Sequence, residues 1–219
     1  MSSSSRRTAA QPRGFRCSEC GWITAKWVGR CGECQEWGTV AEQGAAPTGP
    51  RTVATSPAHT PARPIADIPV EGARAVPTGV AEFDRVLGGG LVPGAVVLLA
   101  GEPGVGKSTL LLDVAGIAAG TGRRVLYVSG EESAGQVRLR AERIGALQAG
   151  LLLASETDLG TVLGHIEAEQ PDLLVLDSVQ TIASAEVDGA PGGVSQVREV
   201  AAAIITAAKS RDMPVVLVG

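Results

Sequence analysis

A glycine-rich stretch at residues 101–109, GEPGVGKST, has the residue types and spacing of a phosphate-binding loop, with Gly101, Gly106, Lys107 and Ser108 in register. Glycines allow the main chain to wrap around phosphate oxygens, the lysine places a cation near the β- and γ-phosphates, and the serine hydroxyl can complete a Mg²⁺ shell. Because an apolar run precedes the stretch and a helical pattern follows it, we predict a nucleotide site rather than a chance glycine-rich turn. The predicted nucleotide-binding residues are Gly101, Glu102, Pro103, Gly104, Val105, Gly106, Lys107, Ser108 and Thr109, and Lys107 is also assigned to catalysis.

Acidic residues follow two other predicted strands and would complete such a site. In DLLVLDS, apolar residues carry Asp177 to the carboxyl edge of the sheet, where ligands bind in open α/β folds. Asp177 is expected to hold Mg²⁺ through its water shell, although a carboxylate that only caps the next segment would fit the same pattern. In LYVSGEES, we assign Glu131 to polarising the attacking water and Glu132 to the start of a helix near Ser133.

All four cysteines lie in two Cys-x2-Cys pairs, Cys17 with Cys20 and Cys31 with Cys34. Four thiolates suit one tetrahedral Zn²⁺ ion, and iron–sulfur ligation is the main alternative. The N-terminus has no signal-peptide pattern, and in a reducing compartment clustered cysteines favour a metal site over disulfides. A module of about 26 residues cannot build a sufficient core, so metal binding would supply most of its folding free energy.

The three tryptophans, Trp22, Trp27 and Trp37, all belong to this cysteine-containing segment. Exposed indoles there would suit base stacking or docking of a protein, and packing around the metal as a miniature core is the alternative for at least one of them. Three basic and three acidic residues balance one another between residues 15 and 40. Four thiolates around Zn²⁺ add negative charge, so the segment is not a simple phosphate-binding patch.

Short apolar runs that alternate with helical stretches predict an α/β domain with a mainly parallel sheet. The predicted strands cover residues 95–101, 124–130, 151–155, 172–178 and 214–219. The predicted helices lie near residues 107–119, 133–145, 158–169 and 194–211. We expect four parts along the chain: a disordered tail at 1–14, a four-cysteine zinc finger at 15–40, a flexible Pro- and Ala-rich linker at 41–74 and the core domain at 75–219.

Charge and hydropathy limit the partners of the core domain. The sequence has a net charge of −4, and after Arg74 it carries ten basic against seventeen acidic residues. The bulk field of this part would therefore not attract nucleic acid or anionic lipid. The longest apolar runs are far shorter than the roughly 20 residues that a membrane-spanning helix needs, so we expect no membrane association and a cytoplasmic location.

Together these motifs resemble the bacterial RadA (Sms) family of DNA repair ATPases. The resemblance rests on CSECG and CGECQEWGT, on FDRVLGGG before the phosphate-binding loop, on YVSGEES, and on LLVLDSVQT followed by SQVRE. It implies a RecA-like P-loop core that acts as a DNA-dependent ATPase in recombinational repair, as a homo-hexamer that moves along single-stranded DNA and promotes branch migration. It also implies ATP with Mg²⁺ at Lys107, Ser108 and Asp177, water activation by Glu131, and one Zn²⁺ held by the four cysteines.

The same resemblance suggests a DNA contact. The segment ASAEVDGAPGGVSQVRE lies where RecA-like proteins carry a DNA-facing loop, and Arg198 would meet a phosphate there; an ordinary surface loop is the alternative. The family's KNRFG motif and protease-like domain do not occur in the sequence, so we expect an N-terminal fragment. Expected partners are ATP, single-stranded or branched DNA, and recombinase or replication-fork proteins. The alternative function is a zinc-dependent adaptor or switch ATPase in which nucleotide controls assembly rather than movement on DNA.

Overall fold

A computed structural model describes residues 14–42 and 62–219 of the chain. It divides the chain between Arg63 and Pro64 into two compact units, which are treated separately below. The tail expected at residues 1–14 and the linker expected at 41–74 fall largely outside the described residues. Within the described ranges, no helix combines the length and apolar character needed to cross a bilayer.

The small unit contains three short antiparallel strands, β1 Phe15–Cys17, β2 Ile23–Thr24 and β3 Val40–Glu42. β1 lies in the middle, and its first residue, Phe15, pairs with β2 on one side and β3 on the other. The buried side chains are Cys17, Cys31 and Val40. Two of these three are cysteines, so the interior of this unit is formed around sulfur atoms rather than around an apolar layer.

The large unit is built on a five-stranded sheet in which every pairing is parallel. Its strands are β4 Val96–Leu99, β5 Val125–Ser129, β6 Leu151–Ser155, β7 Leu173–Asp177 and β8 Val215–Val218. They lie side by side in the order β4-β8-β7-β5-β6. Every residue of β5, β7 and β8 is buried, as expected for strands covered on both faces. The α/β fold with a mainly parallel sheet that the sequence predicts is confirmed.

Helices cover both faces of this sheet. They are α1 Ala81–Val86, α2 Lys107–Gly120, α3 Ala134–Arg143, α4 Leu159–Glu169 and α5 Val194–Ser210. One core cluster joins α2 and α3 to side chains such as Tyr127 and Val175, and the other joins α4 and α5 to side chains such as Leu126 and Leu174. The alternation of β-strand side chains between two faces thus sends Leu126 and Tyr127 into different cores.

The short helix α1 and the glycines after it form a turn that the sequence patterns did not predict. Asp84 in α1 accepts hydrogen bonds from the backbone N–H and the hydroxyl of Thr78, both at 2.7 Å. Val76, which precedes α1, and Leu91, which follows it, pair through two backbone hydrogen bonds. Gly90 has a φ of 132°, and a Cβ there would lie 2.1 Å from the carbonyl oxygen of Val76. The GGG sequence therefore permits the close backbone approach that leads the chain into β4.

Candidate nucleotide site and metal centre

The segments that follow β4, β5 and β7 meet at one edge of the sheet around a cleft of about 580 Å³. The lining residues are Gly101, Pro103, Gly104, Gly106, Lys107, Ser108, Thr109, Glu131, Glu132, Arg140, Asp177, Ser178, Gln180, Val218 and Gly219. The cleft thus brings together Lys107, Ser108, Glu131 and Asp177, although Lys107 and Asp177 are 70 positions apart in the sequence. Among the predicted nucleotide-binding residues, Glu102 and Val105 are not part of the lining.

The phosphate-binding loop leads directly into α2. Gly104 and Gly106 have φ values of 82° and 94°, a left-handed conformation that glycine adopts without steric cost. Gly106 is the N-cap of α2 and has no side chain, and the first turn contains no acidic residue. The first backbone N–H groups of a helix have no intrahelical partner and carry partial positive charge, so this helix start suits an anion. The Lys107 ammonium lies within the loop, where it donates to the carbonyl oxygens of Gly101 at 2.7 Å and Glu102 at 3.0 Å.

Asp177 is the last residue of β7 and is 8% exposed. The hydroxyl of Tyr127, on the neighbouring strand β5, donates a hydrogen bond of 2.7 Å to Asp177 Oδ2. Burial, followed by the negative charge of Asp177, raises the pKa of Tyr127 well above its usual range, so the phenol keeps its proton. Tyr127 was not identified from the sequence, because a tyrosine within an apolar strand is indistinguishable from an ordinary core residue.

Glu131 follows β5 and is held by the residue that follows β7. The hydroxyl of Ser178 donates to Glu131 Oε1 at 2.7 Å. The preceding residue, Gly130, donates its backbone N–H to the carbonyl oxygen of Asp177 at 2.8 Å, and a Cβ on Gly130 would lie 2.1 Å from Thr181 Oγ1. The absence of a side chain at Gly130 therefore allows the two strand ends to approach, and this brings Glu131 to the Asp177 edge.

Glu132 was assigned from the sequence to the start of a helix near Ser133. In the structure, its side chain contacts a residue farther along that helix. Its Oε1 forms an ion pair with Arg140 of α3, and its Oε2 is buried without a hydrogen-bond partner among the described residues. The N-cap of α3 is Ser133, whose hydroxyl accepts from the backbone N–H of Gln136 at 3.4 Å while the Gln136 side chain accepts from the Ser133 backbone N–H at 3.0 Å. Arg140 lines the cleft and was not identified from the sequence, where it is one of several arginines in an amphipathic helix.

Arg198 lies on the exposed surface of α5 and is not part of the cleft lining. The loop that precedes α5 is held by Gln196, which is 2% exposed. The Gln196 amide accepts from the backbone N–H of Ser184 at 2.8 Å and donates to the carbonyl oxygens of Ser184 and Val187. The first half of the segment expected to face DNA is thus fixed to α5 by one buried side chain.

In the small unit, the four cysteine sulfur atoms lie within 4.8 Å of one another. Cys17 and Cys34 Sγ are 3.7 Å apart, and Cys20 and Cys31 Sγ are 3.5 Å apart. Zn–S bonds of about 2.3 Å in a tetrahedron place neighbouring sulfur atoms about 3.8 Å apart, whereas a disulfide requires about 2 Å. The donor set therefore fits a single four-coordinate metal ion, and all four cysteines are free of disulfides.

The protein surroundings favour the thiolate form at Cys17. A hydrogen bond from the Cys20 backbone N–H and a side-chain hydrogen bond with Thr39 lower the pKa of Cys17 to about 6. The backbone N–H of Glu33 also donates to Cys31 Sγ at 3.4 Å. Backbone donors aimed at thiolates orient them and stabilise their negative charge before and after metal binding.

The three tryptophans of the small unit divide into two kinds. Trp22 packs against the cysteine core, and a Cβ on Gly32 would lie 2.9 Å from its ring. Trp27 and Trp37 are 65% and 73% exposed. The guanidinium carbon of Arg30 lies 5.8 Å from the centroid of the Trp37 ring, which is the range of a cation–π contact. One indole therefore belongs to the miniature core and two are available to a partner.

Family models match both units. A model described as "AAA domain" matches residues 80–219, and one described as "Rubredoxin metal binding domain" matches residues 15–42. Three curated proteins named "DNA repair protein RadA" each align with 94% of the chain. The one from Mycobacterium tuberculosis is 55% identical over 209 residues and 43% of its own length is covered. Those from Bacillus subtilis and Aquifex aeolicus are 41% and 45% identical, with 46% and 45% of their lengths covered.

These matches confirm the resemblance to the RadA family drawn from the motifs. The chain spans a little under half the length of the curated relatives that it matches. The matched metal-binding model and the sulfur geometry together support zinc as the ion of the four-cysteine centre.

Proposed function

We propose that this chain, which belongs to the AAA domain family, is the nucleotide-binding part of a DNA-dependent ATPase of recombinational DNA repair. The observation that carries the proposal is the cleft in which the phosphate-binding loop faces two carboxylates from different strand ends. A loop that only bound phosphate would need neither Asp177 nor Glu131.

We assign the roles in the cleft from the chemistry of each side chain. The α2 N-terminus and Lys107 hold the phosphates of ATP, and Ser108 and Asp177 are the residues that would hold Mg²⁺. When bound, this ion neutralises charge on the phosphate oxygens. The residues Gly101 to Thr109 that line the cleft surround the same phosphates, and Val105, which is exposed, contributes through the loop backbone alone.

Glu131 is the proposed general base. It takes a proton from a water molecule, whose oxygen forms a bond to the γ-phosphorus as the bond to the β,γ-bridging oxygen breaks and ADP leaves. The hydrogen bond from Ser178 fixes one carboxylate oxygen of Glu131 and so orients the other. Such positioned proton transfer typically contributes a factor of about 10² to 10⁴ in rate.

Action on DNA is proposed from the relatives, which are named as DNA repair proteins. We propose that single-stranded or branched DNA binds near the loop at residues 184–193 and that Arg198, exposed beside this loop, contacts a phosphate. Movement on single-stranded DNA, branch migration, a homo-hexameric ring and recombinase or replication-fork partners are proposed for the whole protein on the same basis. A cytoplasmic location is proposed because the substrate would be chromosomal DNA.

The exposed tryptophans favour a second candidate function. A zinc-dependent adaptor, or a switch ATPase in which nucleotide controls assembly, would use Trp27 and Trp37 to dock a protein. Hydrolysis in such a protein would be slow and indifferent to DNA.

ATP binding and turnover of this chain, measured with and without single-stranded DNA, test the proposal. Lys107→Ala should lose nucleotide binding and turnover, and the matched variant Lys209→Ala, which removes an exposed lysine at the end of α5, should keep both. Turnover that rises with DNA supports the repair ATPase, whereas slow turnover unaffected by DNA supports the switch. Full turnover in Lys107→Ala would refute both.

A further inference from the structure

Tyr127 occupies a position that connects two parts of the nucleotide site. Its ring is buried in the core between β5 and α2, at 1% exposure. Its hydroxyl donates to Asp177 Oδ2 at 2.7 Å and lies 3.5 Å from the backbone carbonyl oxygen of Ser108 in the first turn of α2. One phenol thus touches the strand that carries the acid and the helix that carries the phosphate-binding residues.

The Asp177 carboxylate has few other constraints. Among the described residues, Tyr127 is the one side chain that hydrogen-bonds to it, and Oδ1 has no such partner. A carboxylate rotates about its terminal torsion with broad, two-fold preferences. Without the phenol, both oxygens of Asp177 would be free to turn, so the hydrogen bond decides which oxygen faces the cleft.

The phenol is suited to this role because it remains a donor. A hydrogen bond from a neutral donor leaves the negative charge on Asp177, which a metal ion requires. A lysine or arginine at the same place would instead cancel that charge.

We propose that Tyr127 is a positioning residue that orients the Asp177 carboxylate toward the magnesium ion of bound nucleotide. The inference rests on the proposed function, because it takes Mg²⁺ with ATP as the occupant of the cleft. Partners of this kind, which hold a metal ligand without touching the metal, typically change metal affinity by about 10- to 100-fold when they are removed.

The test uses Tyr127→Phe, which keeps the ring and removes the hydroxyl. Binding of a fluorescent ATP analogue is measured in EDTA and then as a function of Mg²⁺ concentration. The half-saturating Mg²⁺ concentration should rise roughly tenfold, while binding in EDTA stays within twofold of the unmodified chain. Leu126→Val is the matched control, because Leu126 is the adjacent buried residue of β5 and packs in the other core.

Asp177→Asn separates failure of this inference from failure of the proposed function. If Asp177→Asn raises the Mg²⁺ requirement and Tyr127→Phe does not, the positioning role is wrong and the Mg²⁺ role of Asp177 stands. If neither variant changes the Mg²⁺ requirement, both are wrong. Equal weakening of binding in EDTA and in Mg²⁺ by Tyr127→Phe, or the same Mg²⁺ shift in Leu126→Val, would show a general structural effect and overturn the inference.

Discussion

The four-cysteine unit and the nucleotide-binding unit differ in what stabilises them. The first has strands of two or three residues and an interior of Cys17, Cys31 and Val40. The second has five parallel strands between two apolar clusters. A metal ion bound by four thiolates can replace an apolar core, but it makes folding conditional on the ion. We therefore expect that each unit can lose its fold without the other.

The largest effect is expected from the double substitution Cys17→Ser, Cys20→Ser. Zinc binding supplies about 10–16 kcal/mol of apparent folding free energy in small zinc modules, so the first unit should unfold completely. All three tryptophans lie in this unit, so intrinsic tryptophan fluorescence reports on it alone. The emission should shift to longer wavelength as Trp22 becomes exposed.

Thermal unfolding followed by far-UV circular dichroism monitors the other unit in the same variant, and its midpoint should not change. Ser18→Ala, at an exposed position between the two cysteines, serves as the control. Loss of the main transition along with the fluorescence signal would show that the two units fold as one.

A smaller effect is expected from Leu176→Ala in β7. Leu176 is fully buried in the cluster formed with α4 and α5, and Leu→Ala substitutions at such sites cost about 2–5 kcal/mol. Chemical denaturation should show this loss in the large unit while tryptophan fluorescence under native conditions stays the same. Leu139→Ala, at a leucine that is 68% exposed, should change the free energy of unfolding by less than about 0.5 kcal/mol; a similar loss for both leucines would contradict the assigned core.

Ser178→Ala should affect activity rather than stability. It removes the hydrogen bond to Glu131, and a hydrogen bond to a charged group contributes about 1.5–3 kcal/mol, so ATP turnover should fall by roughly tenfold or more. Nucleotide affinity should stay the same, because Ser178 is not assigned to the phosphates. Ser210→Ala, at the end of α5, is the control. Weaker nucleotide binding with unchanged turnover would show that Ser178 acts in nucleotide binding and not through the proposed base Glu131.

The smallest effect is expected from Trp37→Ala in the zinc-loaded protein. Its side chain is mostly exposed and its cation–π contact with Arg30 contributes no more than about 1 kcal/mol, so the free energy of unfolding of the small unit should change by less than that amount. Trp22→Ala should lower the free energy of unfolding of the small unit by at least about 1 kcal/mol, because the Trp22 ring packs against the cysteine core. Titration with a competing chelator compares the two variants, and equal sensitivity would remove the distinction between core and exposed indoles.

The strands of the large unit were predictable because continuous apolar runs bounded by polar residues are typical of buried parallel strands. The predicted run at residues 172–178 contains the observed β7, Leu173–Asp177. The order of the strands was not predictable. β8, the last in sequence, lies between β4 and β7, and no local pattern encodes which parallel strands become neighbours.

Contacts in the cleft were predictable only where a motif fixes them. Gly106 and Lys107 follow from the phosphate-binding pattern alone. The hydrogen bond between Tyr127 and Asp177 joins residues 50 positions apart and depends on the strand register. The Glu132–Arg140 ion pair depends on how α3 returns to the sheet edge. The strands of the small unit were missed because two or three residues show no periodicity.

The direct test of the cleft is Glu131→Gln, assayed for ATP binding and for ATP turnover in the same preparation. Gln keeps the size of the side chain and still accepts the Ser178 hydrogen bond, but it is not a base. We expect unchanged affinity for ATP and turnover reduced by at least about 10²-fold, the lower end of the contribution of a general base. Turnover equal to that of the unmodified chain would contradict the assignment of Glu131 and with it the proposal that this cleft hydrolyses ATP.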